Sequence, residues 1–400
     1  MKKTKRIFLD YASATSLDPR VFKAMKPYFE ADFHNPSSLY VEGVAARKAV
    51  EASRERVARS IGSRKDEIIF TSGGTESINM AILGLYAAAF KKKSGGASSR
   101  PSHIITSTIE HPAVLETCRH LESWGARVTY LSPRDDGRIH PDDVRKALTK
   151  ETVFVTLMHV NNEIGMINPL RDISREIKSW KDANARDVTG APYFHTDASQ
   201  SPNYLDIRKE TLGVDLMTLD GSKIYGPKGI GILFKKHFID IEPFMYGGSQ
   251  EKGIRPGTEN VPLIVGFAEA LDIAIGMREK ESARIKKIRD HCLEFLEKKF
   301  ADQGLSLNGS LENRVPNNLN FCIEGLYAEF AVIQLDAKGI AVSSVTACRN
   351  PDEETFSHVV AALPSAQDCS KSSLRVTFGR DSSKGDAEIF VDALVKIASK

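Results

Sequence analysis

The stretch His195-Thr196-Asp197-Ala198-Ser199-Gln200 is followed, one predicted strand later, by Gly221-Ser222-Lys223-Ile224-Tyr225-Gly226-Pro227-Lys228-Gly229. Ala191-Pro192 punctuates the chain ahead of the first stretch, so Tyr193 to Asp197 reads as a short strand. Side chains alternate along a strand, which puts His195 and Asp197 on one face. Gln200 falls just past the strand end, where ligands sit in open α/β sheets. Asp215 to Asp220 reads as the next strand, with Lys223 in the loop beyond it. A carboxylate and a lysine are thereby expected within one α/β core.

Working outward, Ile68 to Thr71, His103 to Thr106, Arg127 to Leu131 and Thr152 to Leu157 read as further short apolar strands. Helical patterns lie between them, over Ser77 to Phe90, Ala113 to Trp124 and Asp142 to Leu148. Such alternation predicts an α/β domain with a mostly parallel sheet flanked by helices. After about residue 260 the pattern changes. Pro262 to Phe300 is a long helical region with Ile264, Phe267, Ala268, Leu271 and Ile275 at helical spacing, and shorter mixed elements follow. The expected division is a large domain over 16–264 and a smaller α+β domain formed by 1–15 and 265–400. Lys91 to Ser102, basic and Gly/Ser-rich, and Lys181 to Pro192 read as exposed loops.

Composition narrows the classes. The 400 residues are 41% hydrophobic and 27% charged, ordinary for a globular protein, and the formal net charge is only +3. That charge implies no general attraction to nucleic acid or membrane. The five cysteines (Cys118, Cys292, Cys322, Cys348, Cys369) form no C-x-x-C pair, against a zinc ribbon or disulfide scaffold. No metal site is expected. The basic start, Met1 to Arg6, lacks the apolar stretch of a signal peptide, and Met80 to Phe90 is too short to span a bilayer. A cytoplasmic setting is expected.

The carboxylate and lysine pair is what a pyridoxal 5′-phosphate site needs. The lysine holds the cofactor as a Schiff base, and the carboxylate keeps the pyridine nitrogen protonated so that the ring accepts electrons. The bland alternative is a surface aspartate and a solvated lysine. Ile69-Phe70-Thr71-Ser72-Gly73-Gly74-Thr75-Glu76 adds a strand running into a glycine turn and a helix. Free amides at the helix start, with the Thr75 hydroxyl, can hold a phosphate, although Thr75 is also a fair helix cap.

With these segments the chain resembles a cysteine desulfurase of the iron-sulfur-assembly type, within the class V aminotransferase superfamily of fold-type-I pyridoxal phosphate enzymes. The resemblance runs through Phe8-Leu9-Asp10-Tyr11-Ala12, Asn35-Pro36-Ser37-Ser38, Glu110-His111 and Met158 to Gly165. It continues through Gly247 to Glu251, Arg255 to Asn260, Ser343 to Cys348 and Ser372-Ser373-Leu374-Arg375. It implies that Lys223 carries the Schiff base, that Asp197 pairs with the pyridinium and that His111 stacks on the ring and helps move protons. Asn162 and Gln200 would bond around the ring hydroxyl. Gly74, Thr75 and Ser222 would hold the phosphate, with Thr258 reaching in from a second subunit of a homodimer. Arg375 would clamp the substrate carboxylate through a two-pronged ion pair, and Asn35 would line the same pocket. Cys348, in a polar stretch, would be the thiolate that takes sulfur from L-cysteine as a persulfide, leaving L-alanine. The persulfide would pass to an acceptor such as an iron-sulfur scaffold or a tRNA-thiolation protein. Other readings on the same fold are a selenocysteine lyase, an aminotransferase, or a catalytically weak paralogue acting as a scaffold.

The sequence departs from the family's usual pattern in three places. Asp220-Gly221-Ser222-Lys223 stands where serine-glycine-histidine-lysine is usual, and Asp220 would repel a phosphate dianion unless it points away or pairs with a cation. Val345 replaces a usual glycine, and Arg349 follows the cysteine where a small hydroxyl residue is common. Pro256 replaces a serine in the loop expected to cross between subunits.

Overall fold

The computed structural model describes residues 6–93, 102–184, 191–344, 356–364 and 369–398. In chain order its strands are β1 Ile7–Phe8, β2 Ile68–Thr71, β3 His103–Ser107, β4 Arg127–Leu131, β5 Thr152–Thr156 and β6 Tyr193–Asp197. Then come β7 Leu216–Asp220, β8 Gly231–Lys235, β9 Ser306–Leu307, β10 Asn318–Cys322, β11 Ile340–Ala341 and β12 Ser373–Thr377. The large sheet has seven strands in the order β2-β8-β7-β6-β5-β3-β4. Only β8 runs against the rest, pairing antiparallel with β2 and β7. The other pairings are parallel, as the alternating pattern predicts.

Neighbouring residues on these strands feed opposite apolar layers. Phe70, Ile105, Val155, Met217 and Phe234 join a cluster with Ile264, Phe267 and Leu271 of the long helix Val261–Lys299. Ile69, Ile104, Phe154, Leu216 and Leu233 join the other, with Ile78, Ile82 and Leu85 of the helix Gly74–Lys93. Burial on both faces is why the strands read as continuous apolar runs. His195, in the middle of β6, is wholly buried between the two neighbouring strands. Its Nδ1 meets the Thr156 hydroxyl at 2.9 Å and its Nε2 the Thr218 hydroxyl at 3.0 Å. Burial pushes its pKa down to about 3, so it remains a neutral tie across β5, β6 and β7.

A third cluster gathers Leu9, Ile285, Leu296, Phe321, Leu374, Phe378 and Phe390. It lies under a small sheet, β12-β10-β9, whose pairings are antiparallel. β1 pairs parallel with β11, Asp10 bridges to Thr377 of β12, and the Ala12 and Ser13 carbonyls that follow accept from Gln200 and Lys223. The long helix starts with the Asn260 side chain accepting from the Leu263 amide and runs through both parts. Two expectations change. Lys91-Lys92-Lys93 is not loop but the end of the helix Gly74–Lys93, lysine being a good helix former. Lys181 to Ala183 likewise close the helix Leu170–Ala183.

Candidate active site

The candidate site lies beyond the carboxyl ends of the parallel strands, the general location for ligands in open α/β sheets. A cavity of about 230 Å³ there is lined by Lys223, Asp197, His111, Asn162, Gln200 and Arg375. Gly74, Thr75, Ala12, Ser13, Ser199 and Asp220 also line it. Residues more than 300 positions apart in sequence thus meet in one space.

Lys223 is held by its backbone on both sides. Thr15 donates its amide and hydroxyl to the Ser222 carbonyl, both at 2.9 Å, and the Asn203 side chain donates to the Lys223 carbonyl at 2.8 Å. The Thr15 hydroxyl also accepts from the Tyr225 amide. Tyr225 sits at a φ of 60°, a left-handed conformation costly for a bulky side chain, and its ring lies under the Arg380 guanidinium at 3.9 Å. The Lys223 ammonium donates to the Ser13 carbonyl.

Asp197 ends β6. One of its oxygens accepts from the Ser199 amide at 2.9 Å and hydroxyl at 2.6 Å. His111 caps the helix Pro112–Ser123, its Nδ1 accepting from the Ala113 amide at 3.1 Å. That bond leaves the proton of the neutral ring on Nε2. Burial drives the His111 pKa down, and nearby Asp197 pulls against that shift. Beside it, Glu110 is buried and accepts from the Ser107 hydroxyl at 2.6 Å and the Met158 amide at 3.0 Å. Desolvation outweighs those bonds and pushes its pKa up to about 8. Glu110 therefore fixes the chain that carries Met158 to Asn162.

Arg375, on β12, reaches in from the small sheet. Its Nη2 pairs with Asp10 at 2.7 Å and its Nη1 donates to the Asn162 carbonyl at 3.0 Å. Its Nε is buried with no hydrogen-bond partner among the described residues, and a buried donor left unmade is costly. Gln200 donates to the Ala12 carbonyl at 2.9 Å.

At the other end of the cavity is the glycine turn. Gly73 has a φ of 149°, and a Cβ on Gly231 of β8 would come within 2.8 Å of the Gly73 carbonyl carbon. Glycine at both positions lets the turn lie against the sheet. The Asp220 carboxylate, at the end of β7, enters this turn. Its Oδ2 accepts from the Gly74 amide at 3.0 Å, while its Oδ1 accepts from the Ser222 amide and hydroxyl, both at 2.7 Å. Asp220 does not point away from the cup.

Of the residues singled out in the sequence, Lys223, Asp197, His111, Asn162, Gln200, Gly74, Thr75 and Arg375 line the cavity. Ser222 is adjacent, its hydroxyl engaged by Asp220. Asn35 is exposed and caps its own turn, accepting from the Ser37 amide. Thr258 lines a different cavity, with Ser72, Gly229 and Arg255. Cys348 lies outside the described residues, as do Val345 and Arg349. Cys322 is buried and burial raises its thiol to about 12, which fits a core role. Asp10 and Ser199, which hold Arg375 and Asp197, were not singled out. The D-x-S spacing of Asp197 and Ser199 is the local signal for the latter.

The donor set fits pyridoxal 5′-phosphate. It supplies an amine, a carboxylate and an imidazole in one cavity for the ring, while the Gly74 and Ser222 donors at the phosphate end are engaged by Asp220. Fold and site together define a pyridoxal phosphate enzyme. The family model for class-V aminotransferases matches residues 7–390. The cysteine desulfurase IscS of Dictyoglomus turgidum (strain DSM 6724 / Z-1310) is 41% identical over 396 residues, covering 99% of this chain and 95% of that protein. The cysteine desulfurase IscS of Methanosarcina thermophila is 37% identical, covering 99% and 93%. Among solved structures, a NifS-like protein superposes with a TM-score of 0.87 at 30% identity, over 98% of this chain and 99% of its own. SspA in complex with cysteine gives 0.76 at 34% identity, over 94% and 99%. The chain belongs to the class-V aminotransferase family and, within it, to the pyridoxal-phosphate-dependent cysteine desulfurases.

Proposed function

We propose that this enzyme takes sulfur from L-cysteine onto Cys348 as a persulfide, releases L-alanine and hands the sulfur to an acceptor protein. The observation that supports this assignment of residues is the convergence of Lys223, Asp197, His111 and Arg375 on one cavity. Bound there, pyridoxal phosphate supplies the electron sink that stabilises negative charge at the substrate Cα.

The residues divide the remaining work. Lys223 holds the cofactor, and its Nζ, once free, takes the proton from Cα. Asp197 would supply the fixed negative charge for the ring nitrogen, kept in place by Ser199. His111 lines the same cavity and, with its proton on Nε2, would stack on the ring and hold a proton there. Arg375 binds the substrate carboxylate, and its Nε has no hydrogen-bond partner among the described residues. The Cys348 thiolate then attacks the substrate sulfur. An S–S bond forms as the Cβ–S bond breaks, the bonding pair passes to Cβ and is protonated there, and return of the proton to Cα yields alanine. Asn162 and Gln200 belong at the ring hydroxyl, and Gly74, Thr75 and Ser222 at the phosphate. Thr258 acts from the partner subunit in a homodimer. No described helix is long and apolar enough to cross a membrane, and we place the enzyme in the cytoplasm. The acceptor class is an iron-sulfur scaffold or a tRNA-thiolation protein.

The test is alanine release from L-cysteine with a reductant present, comparing wild type with Cys348→Ala after addition of pyridoxal phosphate. Activity confined to the wild type, with cofactor absorbance in both, is expected. Equal activity in the two proteins would remove Cys348 from the reaction.

A further inference from the structure

We propose that Asp220 is a resident carboxylate of the phosphate cup, and that this enzyme consequently draws little of its cofactor affinity from the phosphate group. The inference rests on the assignment of the Lys223 cavity to pyridoxal phosphate and concerns how that cofactor is gripped.

The argument begins with the donors. A phosphate held at a glycine turn is bound by backbone amides at the start of the following helix and by nearby hydroxyls. Here the Gly74 amide, the first of the helix Gly74–Lys93, donates to Asp220 Oδ2 at 3.0 Å. The Ser222 amide and hydroxyl, next to Lys223, donate to Asp220 Oδ1 at 2.7 Å each. All three donors are uncharged, so together they favour one anion but do not neutralise two. A second carboxylate, Glu76, accepts from the Ser72 amide of the same turn, but Arg255 offsets it at 2.8 Å. Thr75 is left among the side chains that line the cavity here.

The geometry makes this a built feature. Asp220 Oδ1 closes a turn with its own i+2 residue, the local bond that Asp forms readily after a strand. Its second oxygen then spans to a helix far away in sequence. A Cβ on Gly74 would come 3.1 Å from that oxygen, so any side chain at 74 would make the carboxylate give way by a few tenths of an ångström. An incoming phosphate dianion has to share or displace these bonds and meets like charge a few ångströms away. At such a separation repulsion between partly screened charges is several times RT. The lysine link, the ring contacts and the partner subunit are left to supply most of the grip.

The experiment separates the phosphate from the ring. Full-length holoenzyme is equilibrated by dialysis against graded pyridoxal 5′-phosphate or pyridoxal, and lysine-bound cofactor is read from its absorbance. Wild type is compared with Asp220→Ser and with Asp220→Asn, which keeps the shape and drops the charge. In the wild type the phosphorylated form is expected to bind within about tenfold of pyridoxal. Asp220→Ser is expected to tighten the phosphorylated form by about tenfold or more and to move pyridoxal by no more than about twofold. Asp220→Asn falls between them. A wild-type preference for the phosphorylated form of more than about a thousandfold overturns the proposal, as does weaker phosphate binding in both variants with unchanged thermal melts. Should neither cofactor form give lysine-bound absorbance in the wild type, the assignment of the cavity itself fails.

Discussion

Asp197 and Asp220 end adjacent parallel strands, β6 and β7, and build the same local turn. Each is followed two residues on by a serine whose amide and hydroxyl both bond to one carboxylate oxygen. Yet their settings differ. Asp197 is fixed by Ser199 at the part of the cavity assigned to the ring, where a negative charge matches a protonated pyridine. Asp220 extends its second oxygen to the Gly74 amide, where the family's phosphate belongs. One turn therefore serves opposite electrostatic ends. A D-x-S turn fixes where a carboxylate stands, and the element facing it decides whether that charge helps or opposes the cofactor.

The strongest way to break this comparison is Asp197→Asn. The amide oxygen can still accept from Ser199, so the turn survives, while the charge opposite the ring nitrogen is lost. Desulfurase activity should fall by on the order of a hundredfold or more, with the melting temperature nearly unchanged. Steady-state kinetics at saturating cofactor and a thermal melt check it. A loss of only a fewfold would mean that Asp197 and Asp220 do not differ in role as described.

Glu110 sharpens the comparison from the side of desolvation. It has no Asx turn, is fully enclosed, and its pKa of about 8 lies well above the ordinary carboxylate value of 4.5. The sign follows from proton counting. Between about pH 4.5 and pH 8 the native state keeps a proton that the unfolded chain has released. Its stabilising contribution is complete below the unfolded pKa and declines as pH rises through the folded one. Urea melts from pH 5 to 8.5 should show stability falling with pH by up to about 1.4 kcal/mol per unit from this group. Glu110→Gln should flatten that slope. An identical slope in both proteins would show that another group carries it.

Much of this was legible in the sequence because it is local. Ile68–Thr71, Tyr193–Asp197 and Leu216–Asp220 are short apolar runs bounded by turn residues, and the structure has strands there. The glycine turn and the lysine loop were equally plain, since spacing along the chain carries them. What was hidden depends on tertiary approach. The bond from the Gly74 amide to Asp220 links positions 146 apart, and nothing in the local pattern says whether that carboxylate turns in or away. The pairing of Arg375 with Asp10 is of the same kind. Alternation put His195 on one face with Asp197, but nothing local announced the two flanking threonines on other strands that hold it as a structural tie. Asn35 had a motif to recommend it, yet its side chain serves its own turn.

The smallest expected effect lies between the two turns, at Gly74. A Cβ there would come 3.1 Å from Asp220 Oδ2 and 3.5 Å from the Ser199 hydroxyl, the group that holds Asp197. One methyl group therefore probes both carboxylates at once, but unequally. The closer contact forces Asp220 to give way by a few tenths of an ångström, while the Ser199 contact is ordinary. Alanine also favours the helix it would begin, so Gly74→Ala should destabilise the wild type slightly and stabilise an Asp220→Ser background. A double-mutant cycle by urea denaturation should return a coupling of about 0.5–1 kcal/mol between the two positions. Gly74→Ala with Ser199→Ala should be additive within about 0.3 kcal/mol. If the two cycles couple equally, Asp220 is no more committed to the helix start than Ser199 is. The distinction between the two D-x-S turns would then be one of position alone.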